Sequence, residues 1–510
     1  MSSSIRIERH YGDRDVRCFA DRPRSLWAMV EAAAQQVGDT ADALICGPRR
    51  WSWSALLNAA DRCAGGLQTR GVGPGDRVLL LLRNRAEFVI ASLALARLGA
   101  VAVPLSVRSA PPEVDYVAQH CGATLALVED ALCGHLPAAL PRVPLSAWES
   151  LAGPAPAPTA VDEEDTAVIL YTSGTTGRPK GAMLSHLNIV HSAMHYQLAM
   201  SLTAVERSVV AVPLSHVTGL VAQAWTMLRC GGTLVLLDAF HADSFLQLAA
   251  SERMTHTLMV PAMYQLCLLQ QDMAAFDLRQ WRIGAFGGAP MAPATIAALA
   301  HVLPALSLVN CYGATETASP ATVMPLGETL RRPTSVGRAV ACGELLIADE
   351  QGRAQPPGVS GEVWIRGPMV VRGYWADPQA SAEQVSHGWW HSGDLGRIDD
   401  DGYLHLLDRI KDVVNRGGYK VFSSEVEAVL LQHPALVEAA VVGYACPVLG
   451  ERVHAYASWR EPVDAAELTA FCNARLADYK VPERWTLGPD PLPRNANGKL
   501  MKKTLRATSA

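Results

Sequence analysis

The run Tyr171-Thr172-Ser173-Gly174-Thr175-Thr176-Gly177-Arg178-Pro179-Lys180-Gly181 decides the reading of this chain. It follows a short apolar, strand-like segment, Ala167 to Leu170. Glycine lets backbone N–H groups converge on an anion, and Ser and Thr hydroxyls add donors. Lys180 supplies a mobile point charge for the same oxygens. The stretch therefore reads as a loop that wraps phosphate. Its order differs from the Walker loop, where Gly-Lys runs directly into Ser or Thr at a helix start. Here Pro179 precedes Lys180 and Gly181 follows it. Taken alone, such a cluster is usually just a solvated turn, so the elements around it decide.

Working outward, Trp53 to Thr69 has helical spacing, Gly71 to Gly75 breaks it, and Arg77 to Leu82 reads as a buried strand. Ala86 to Leu98 is helical again and Ala100 to Pro104 is a second strand. This alternation predicts parallel strands with crossover helices. A Pro/Ala linker, Ala152 to Pro158, is expected to separate this unit from the loop-bearing one. Val209 to Val212, Thr233 to Leu237 and Thr257 to Val260 continue the α/β rhythm. After Gly343 the strands become short and glycine-punctuated, with Asp401-Gly402 as a hairpin turn. In the last hundred residues Ser424 to Gln432 reads as a helix, with Ser423 or Ser424 as its N-cap. Val437 to Gly443 and Val453 to Trp459 are strands, Ala465 to Leu476 is a helix, and the tail is basic.

A chain of 510 residues has room for about three domain-sized units. With 49% hydrophobic and 18% charged residues its composition is that of an ordinary globular protein. A net charge of −5 argues against a nucleic-acid partner. The 11 cysteines are scattered without a C-x-x-C pair, against a disulfide framework or a zinc cluster. Met1 to Asp15 lacks the apolar core of a signal peptide, and Phe88 to Leu105 is too interrupted for a membrane span. A cytoplasmic enzyme is the expectation.

Five further segments join the first. They are Val212-Pro213-Leu214-Ser215-His216-Val217-Thr218-Gly219, Tyr312-Gly313-Ala314-Thr315-Glu316-Thr317 and His391-Ser392-Gly393-Asp394-Leu395-Gly396. The others are Asp408-Arg409-Ile410-Lys411-Asp412 running to Gly417-Gly418-Tyr419-Lys420, and Pro493-Arg494-Asn495-Ala496-Asn497-Gly498-Lys499. With these in order over more than 300 residues, the chain resembles the adenylate-forming superfamily of acyl- and aryl-CoA ligases, luciferases and adenylation domains. It is most like an acyl-CoA ligase. The resemblance implies an α/β fold: a large N-terminal domain of two α/β subdomains plus a small β subdomain, then a small mobile α+β C-terminal domain. It places the ATP- and acyl-binding domain at residues 1–408 and the mobile domain at 409–510.

It also implies roles. Thr172, Ser173, Gly174, Thr175, Thr176, Gly177 and Lys180 would hold the β- and γ-phosphates of ATP. Glu316 would bind Mg²⁺, and Thr315 would touch the α-phosphate. Tyr312, beside Gly313, would stack on adenine, with Gly288, Ala289 and Pro290 on its other side. Asp394 would accept from the ribose hydroxyls and Arg409 would add a contact. Lys499 would meet the attacking carboxylate and the α-phosphate. Lys411 would be the hinge, with Gly417, Gly418 and Tyr479 lining the coenzyme A side. His216 would gate an acyl pocket lined by Val217, Thr218, Val221, Trp225 and Tyr264. Each has a plainer reading beside it: Lys499 and Lys411 as solvated charges, Asp394 as a turn residue, Glu316 as a helix-start charge, His216 as a core histidine.

The implied reaction adenylates a mostly apolar carboxylic acid and passes the acyl group to coenzyme A. No carboxylate stands in Leu214-Ser215-His216-Val217 to grip an amino group, which points away from amino-acid adenylation. Alternatives are an acyl-AMP ligase loading a carrier-protein thiol, a non-catalytic nucleotide-binding homologue, and the luciferase-type oxygenase branch. A homodimer is compatible with the sequence.

Overall fold

Short β-rich runs such as Val-Leu-Leu-Leu at 78–81 and Leu-Val-Leu at 234–236 are buried on both faces, as strands covered by helices must be. The computed structural model describes residues 4–172, 178–270, 272–494 and 500–509. Two sheets dominate residues 42–339. One is six-stranded, in the order Lys180–Ser185, Thr166–Thr172, Val101–Pro104, Arg77–Leu81, Leu125–Val128, Arg142–Pro144. The other is nine-stranded, in the order Arg338–Ala339, Ser319–Val323, Ser307–Ala314, Ile283–Gly287, His256–Met259, Arg207–Val210, Thr233–Leu236, Asp42–Cys46, Arg49–Ser52. Most central pairs are parallel. Helices Trp53–Gln68 and Ala86–Leu98 form where the spacing places them, the first capped by the Ser52 hydroxyl accepting from Ala55 N–H.

The Pro/Ala linker is not a boundary, which corrects the expectation above. Strands on both sides of it share sheets: Thr166–Thr172 pairs with Val101–Pro104, and Asp42–Cys46 pairs with Thr233–Leu236. The linker start is pressed onto helix Trp53–Gln68. A Cβ on Gly65 would lie 1.9 Å from the Pro154 carbonyl oxygen, and one on Gly66 1.8 Å from that of Leu151. Two adjacent glycines create that seat.

The chain divides into two compact units, Met1–Leu345 with Trp364–His391, and Leu346–Val363 with Ser392–Ala510. Lys411 lies inside the second. In that unit Asp394–Ile398 pairs antiparallel with Leu404–Arg409 around Gly402, whose φ is +81°. A sheet in the order Tyr419–Val421, Val414–Arg416, Gly450–Trp459, Leu436–Cys446 follows, with Arg484–Gly488 added parallel to Gly450–Trp459. Helices Ser423–Leu430 and Ala465–Asn473 bury Val426, Leu430 and Leu468 against Val441 and Val453. Helix Lys502–Ser509 brings Leu505 onto Ala440, Val442 and Tyr456.

The N-cap of the 423–430 helix is Phe422, whose side chain makes no capping bond; neither serine takes that role. Asp408 supplies the acceptor instead: its carboxylate receives the Ser423 and Ser424 N–H groups and the Ser423 hydroxyl. The cap comes from 15 residues upstream, where local sequence does not reveal it. Among the described residues no helix is long and apolar enough to cross a membrane, and the cysteines are free thiols.

Candidate active site

In the first unit, parallel strands His256–Met259, Ile283–Gly287 and Ser307–Ala314 run side by side, and the site residues follow their carboxyl ends. Open α/β sheets bind ligands at that edge. The register sets Gly287 opposite Cys311, so the Gly288-Ala289-Pro290 turn leaves the sheet beside Tyr312. The next turn is sterically fixed. A Cβ on Gly313 would sit 1.5 Å from the Ser319 carbonyl oxygen, so only glycine fits. The Thr317 hydroxyl accepts from Ala314 N–H at 2.9 Å and donates to the Ser319 carbonyl at 2.8 Å. Ala318 and Ser319 both have positive φ, +46° and +93°. Non-glycine residues held there mark an over-determined turn. It presents Thr315 and Glu316 on one 3-10 turn.

The ends of the candidate phosphate loop are held as an antiparallel pair, Thr172 opposite Lys180. Lys180 opens strand Lys180–Ser185 rather than a helix, in keeping with a loop of non-Walker type. Ser173, Gly174, Thr175, Thr176 and Gly177 lie outside the described residues. Tyr116 braces the base of the loop through its hydroxyl, which donates to the Pro179 carbonyl at 3.2 Å. His120 Nδ1 meets the Tyr171 hydroxyl at 2.7 Å.

Sequence reasoning missed the segment that joins these two parts. Val371 N–H donates to the Glu316 carbonyl at 2.9 Å, and Trp375 N–H to that of Gly181 at 2.7 Å. Met183 N–H donates to the Gly373 carbonyl at 3.1 Å. Between them the Tyr374 hydroxyl donates to Glu316 Oε1 at 2.9 Å, and Lys180 Nζ lies 5.3 Å from the Tyr374 ring centroid. Burial and the Glu316 carboxylate push the Tyr374 phenol up, so it stays a neutral donor. The glutamate suits a hard cation: an oxygen ligand on a fixed turn, with one oxygen committed to Tyr374. Mg²⁺ takes one or two carboxylates and completes its shell with substrate phosphates and water.

The segment carrying His216 is pinned by another overlooked residue, Asn84, which is buried. Its amide donates to the Val212 and Leu237 carbonyls at 2.9 and 3.1 Å, and its Oδ1 accepts from Leu214 N–H at 2.8 Å. The helical stretch that follows is a π-helix, Thr218–Trp225, continued by α-helix Thr226–Cys230. Such wide turns occur often at functional sites. Val221 and Trp225 are buried on it, Val217 is buried just before it and Thr218 is half-buried. A small apolar cavity beside it is lined by Phe88, Val89, Leu214, Leu220, Trp225 and Leu228, with Ser92 and Ala224. Tyr264 is placed elsewhere, in the core. Its hydroxyl donates to the Ala285 carbonyl at 2.8 Å, and its ring stacks on Trp281. An apolar helix face reads alike in sequence whether it borders core or pocket, and this ring packs among core residues.

In the second unit Asp394 and Arg409 are cross-strand partners, with Nε 3.1 Å from Oδ1. Lys411 stands on a 3-10 turn, where burial and the neighbouring Arg409 charge hold its ammonium below the usual lysine range. Gly417 and Gly418, with φ of +59° and +90°, turn the hairpin between Val414–Arg416 and Tyr419–Val421. Tyr479 stacks on Tyr419 with centroids 4.5 Å apart. Lys499 lies outside the described residues. The chain before it is anchored by the Arg494–Glu438 pair and the chain after it by the Lys502–Glu427 pair, and an antiparallel bridge joins Arg494 to Leu500.

The AMP-binding enzyme family matches residues 30–375, and the C-terminal domain of AMP-binding enzymes matches residues 425–499. Feruloyl-CoA synthase from Amycolatopsis is 35% identical over 462 residues, spanning 89% of this chain and 93% of its own length. A long-chain-fatty-acid–CoA ligase of Mycobacterium tuberculosis is 31% identical over 474 residues, spanning 90% and 93%. The structure of o-succinylbenzoate CoA synthetase from Bacillus subtilis, in complex with its acyl-adenylate intermediate, superposes with a TM-score of 0.87 at 29% identity, covering 95% of this chain and 98% of that one. With the strand-edge turns, the fixed glutamate and these likenesses together, the chain belongs to the AMP-binding enzyme family.

Proposed function

We propose that this protein is an ATP-dependent acid–coenzyme A ligase acting on a mostly apolar carboxylic acid. The observation that carries the reading is the Lys180–Tyr374–Glu316 arrangement, which sets a cation and a carboxylate at the base of one phosphate-type loop. In the first step a carboxylate oxygen attacks the α-phosphorus of ATP, the bond to pyrophosphate breaks, and an acyl-adenylate forms. Both reactants are anions, so the first obstacle is repulsion. Lys180 and the hydroxyls from Thr172 onward hold the terminal phosphates, and Thr315 donates toward the α-phosphate. Glu316 would hold Mg²⁺, which would screen the triphosphate charge. Tyr312 and the Gly288–Pro290 turn flank the adenine. Asp394 accepts from the ribose diol and Arg409 orients that carboxylate. Lys499 neutralises charge as the new bond forms.

In the second step the thiol of coenzyme A attacks the acyl carbonyl and AMP leaves. Tyr479 and the Gly417-Gly418 turn serve the coenzyme, and Lys411 is the pivot between the steps. His216, Val217, Thr218, Val221, Trp225 and Tyr264 serve the acid, and their mostly apolar character supports an aromatic, alicyclic or aliphatic substrate. A relative acting on ferulate, another on long-chain fatty acids and a structure holding o-succinylbenzoyl-adenylate support that range. Free thiols throughout support a cytoplasmic setting.

The test is a panel of aromatic, alicyclic and aliphatic acids, scored for pyrophosphate release with and without coenzyme A. Acid-dependent release with acyl-CoA accumulation is expected. Acyl-AMP that forms but never consumes coenzyme A would assign the acceptor to a carrier-protein thiol. No acid-dependent release would overturn the reading.

A further inference from the structure

Tyr374 is 5% exposed, and its backbone is held from several sides. It bridges Ala182, its N–H donates to the Ser381 hydroxyl at 2.8 Å, and its neighbours Gly373 and Trp375 bond to Met183 and Gly181. The phenol therefore projects from a fixed point. Packing alone asks only for the ring. A buried hydroxyl is disfavoured unless it is bonded, and this one is spent on Glu316 Oε1. Glutamate has three rotatable side-chain bonds, and in a short surface turn it would sample several positions. The hydroxyl removes that freedom and leaves the second carboxylate oxygen for a further partner. The ring has a second effect. Lys180 sits over its face while Glu316 meets its hydroxyl, so the aromatic plane gives the ammonium a resting place other than the carboxylate. An ion pair between the two would cancel the charges that a triphosphate and its cation require.

We propose that Tyr374 is a positioning residue: it fixes Glu316 with one oxygen committed and one open to Mg²⁺, and keeps Lys180 available to phosphate. This rests on the reading of Glu316 as the metal carboxylate. Outer partners of metal ligands typically change metal affinity about 10- to 100-fold when removed.

Tyr374→Phe deletes the hydroxyl and keeps the ring, the backbone bonds and the cation–π contact. ATP binding to the full-length protein is measured by calorimetry with Mg²⁺ and with EDTA, and pyrophosphate release is measured against Mg²⁺ concentration. The half-saturating Mg²⁺ is expected to rise roughly 10-fold. The tightening of ATP binding by Mg²⁺ shrinks by the same factor, while binding in EDTA and kcat at saturating Mg²⁺ stay within about threefold. An unchanged Mg²⁺ dependence overturns the proposal. So does an equal loss of ATP affinity with and without Mg²⁺, which would make the tyrosine a structural brace only. Glu316→Gln separates the two levels. If Glu316→Gln abolishes the Mg²⁺ effect and Tyr374→Phe keeps it, only the positioning role falls. If Glu316→Gln leaves the Mg²⁺ effect intact, the metal reading of Glu316 falls, and the positioning role with it.

Discussion

Glu316 and Lys180 are opposite charges that share one tyrosine, and this shapes what each can do. The glutamate is oriented by a neutral donor rather than by a second charge. The lysine rests over a ring face, and in the proposed chemistry its ammonium donates to phosphate. Lys499 completes the set in the proposed chemistry. Lys499→Ala is expected to lower acyl-adenylate formation by about 10²–10³ while leaving thiol transfer from supplied acyl-adenylate largely intact. Assaying the two half-reactions separately checks this, and equal losses in both would contradict the role. Lys180, Glu316 and Asp394 were legible as candidates because glycine-rich turns with charged residues stand out in a sequence. Tyr374 was not: its partner lies 58 residues away, and an aromatic following a glycine carries no local sign of a polar task.

Among the elements, helices and buried strands of the α/β region followed from periodicity, because burial against a sheet imposes one apolar pattern along each. What depended on distant partners did not. The 423–430 helix is capped by Asp408 rather than by its own serines, and the Pro/Ala segment lies flat on paired glycines instead of parting two bodies. The π-helix at Thr218–Trp225 was read only as helical, because the wider i→i+5 turn leaves a mostly apolar run looking the same. The Asp408 cap has a measurable consequence. Asp408→Ala strands two N–H groups at a helix start and is expected to destabilise the protein by about 1–2 kcal/mol. Asp408→Asn, which keeps an acceptor oxygen, should recover part of that. Urea unfolding of the three proteins gives the ranking, and an alanine variant as stable as wild type would refute the assignment.

Across the whole molecule, stability is tied to pH through imidazoles that fold away neutral. His186 and His256 are held down to about 4 and His195 to about 3, in each case chiefly by burial. Two of them accept backbone N–H groups, His186 from Leu26 and His195 from Cys342. An unfolded imidazole takes its proton near pH 6.5. Between that value and the folded one the unfolded chain binds more protons, so stability is complete above about pH 6.5 and falls as the pH drops. Each group contributes up to about 1.4 kcal/mol per pH unit. Melting temperatures at pH 5, 6, 7 and 8 should plateau at the upper end and decline below 6.5. A flat profile from 5 to 7 would contradict the neutral burial.

Asn84 carries a different consequence, for how this enzyme could change its diet. Asn84 fixes the start of the stretch from Leu214 to Leu228 and Gln223 ties its middle to the Val209 carbonyl, whereas Glu316 and Lys180 are tied to residues 371–375. On the proposed acyl-pocket reading, taste for a new acid is retooled in the first without disturbing what the second holds. Libraries confined to the π-helical stretch, with Asn84 and Tyr374 left alone, are the place to seek new specificities.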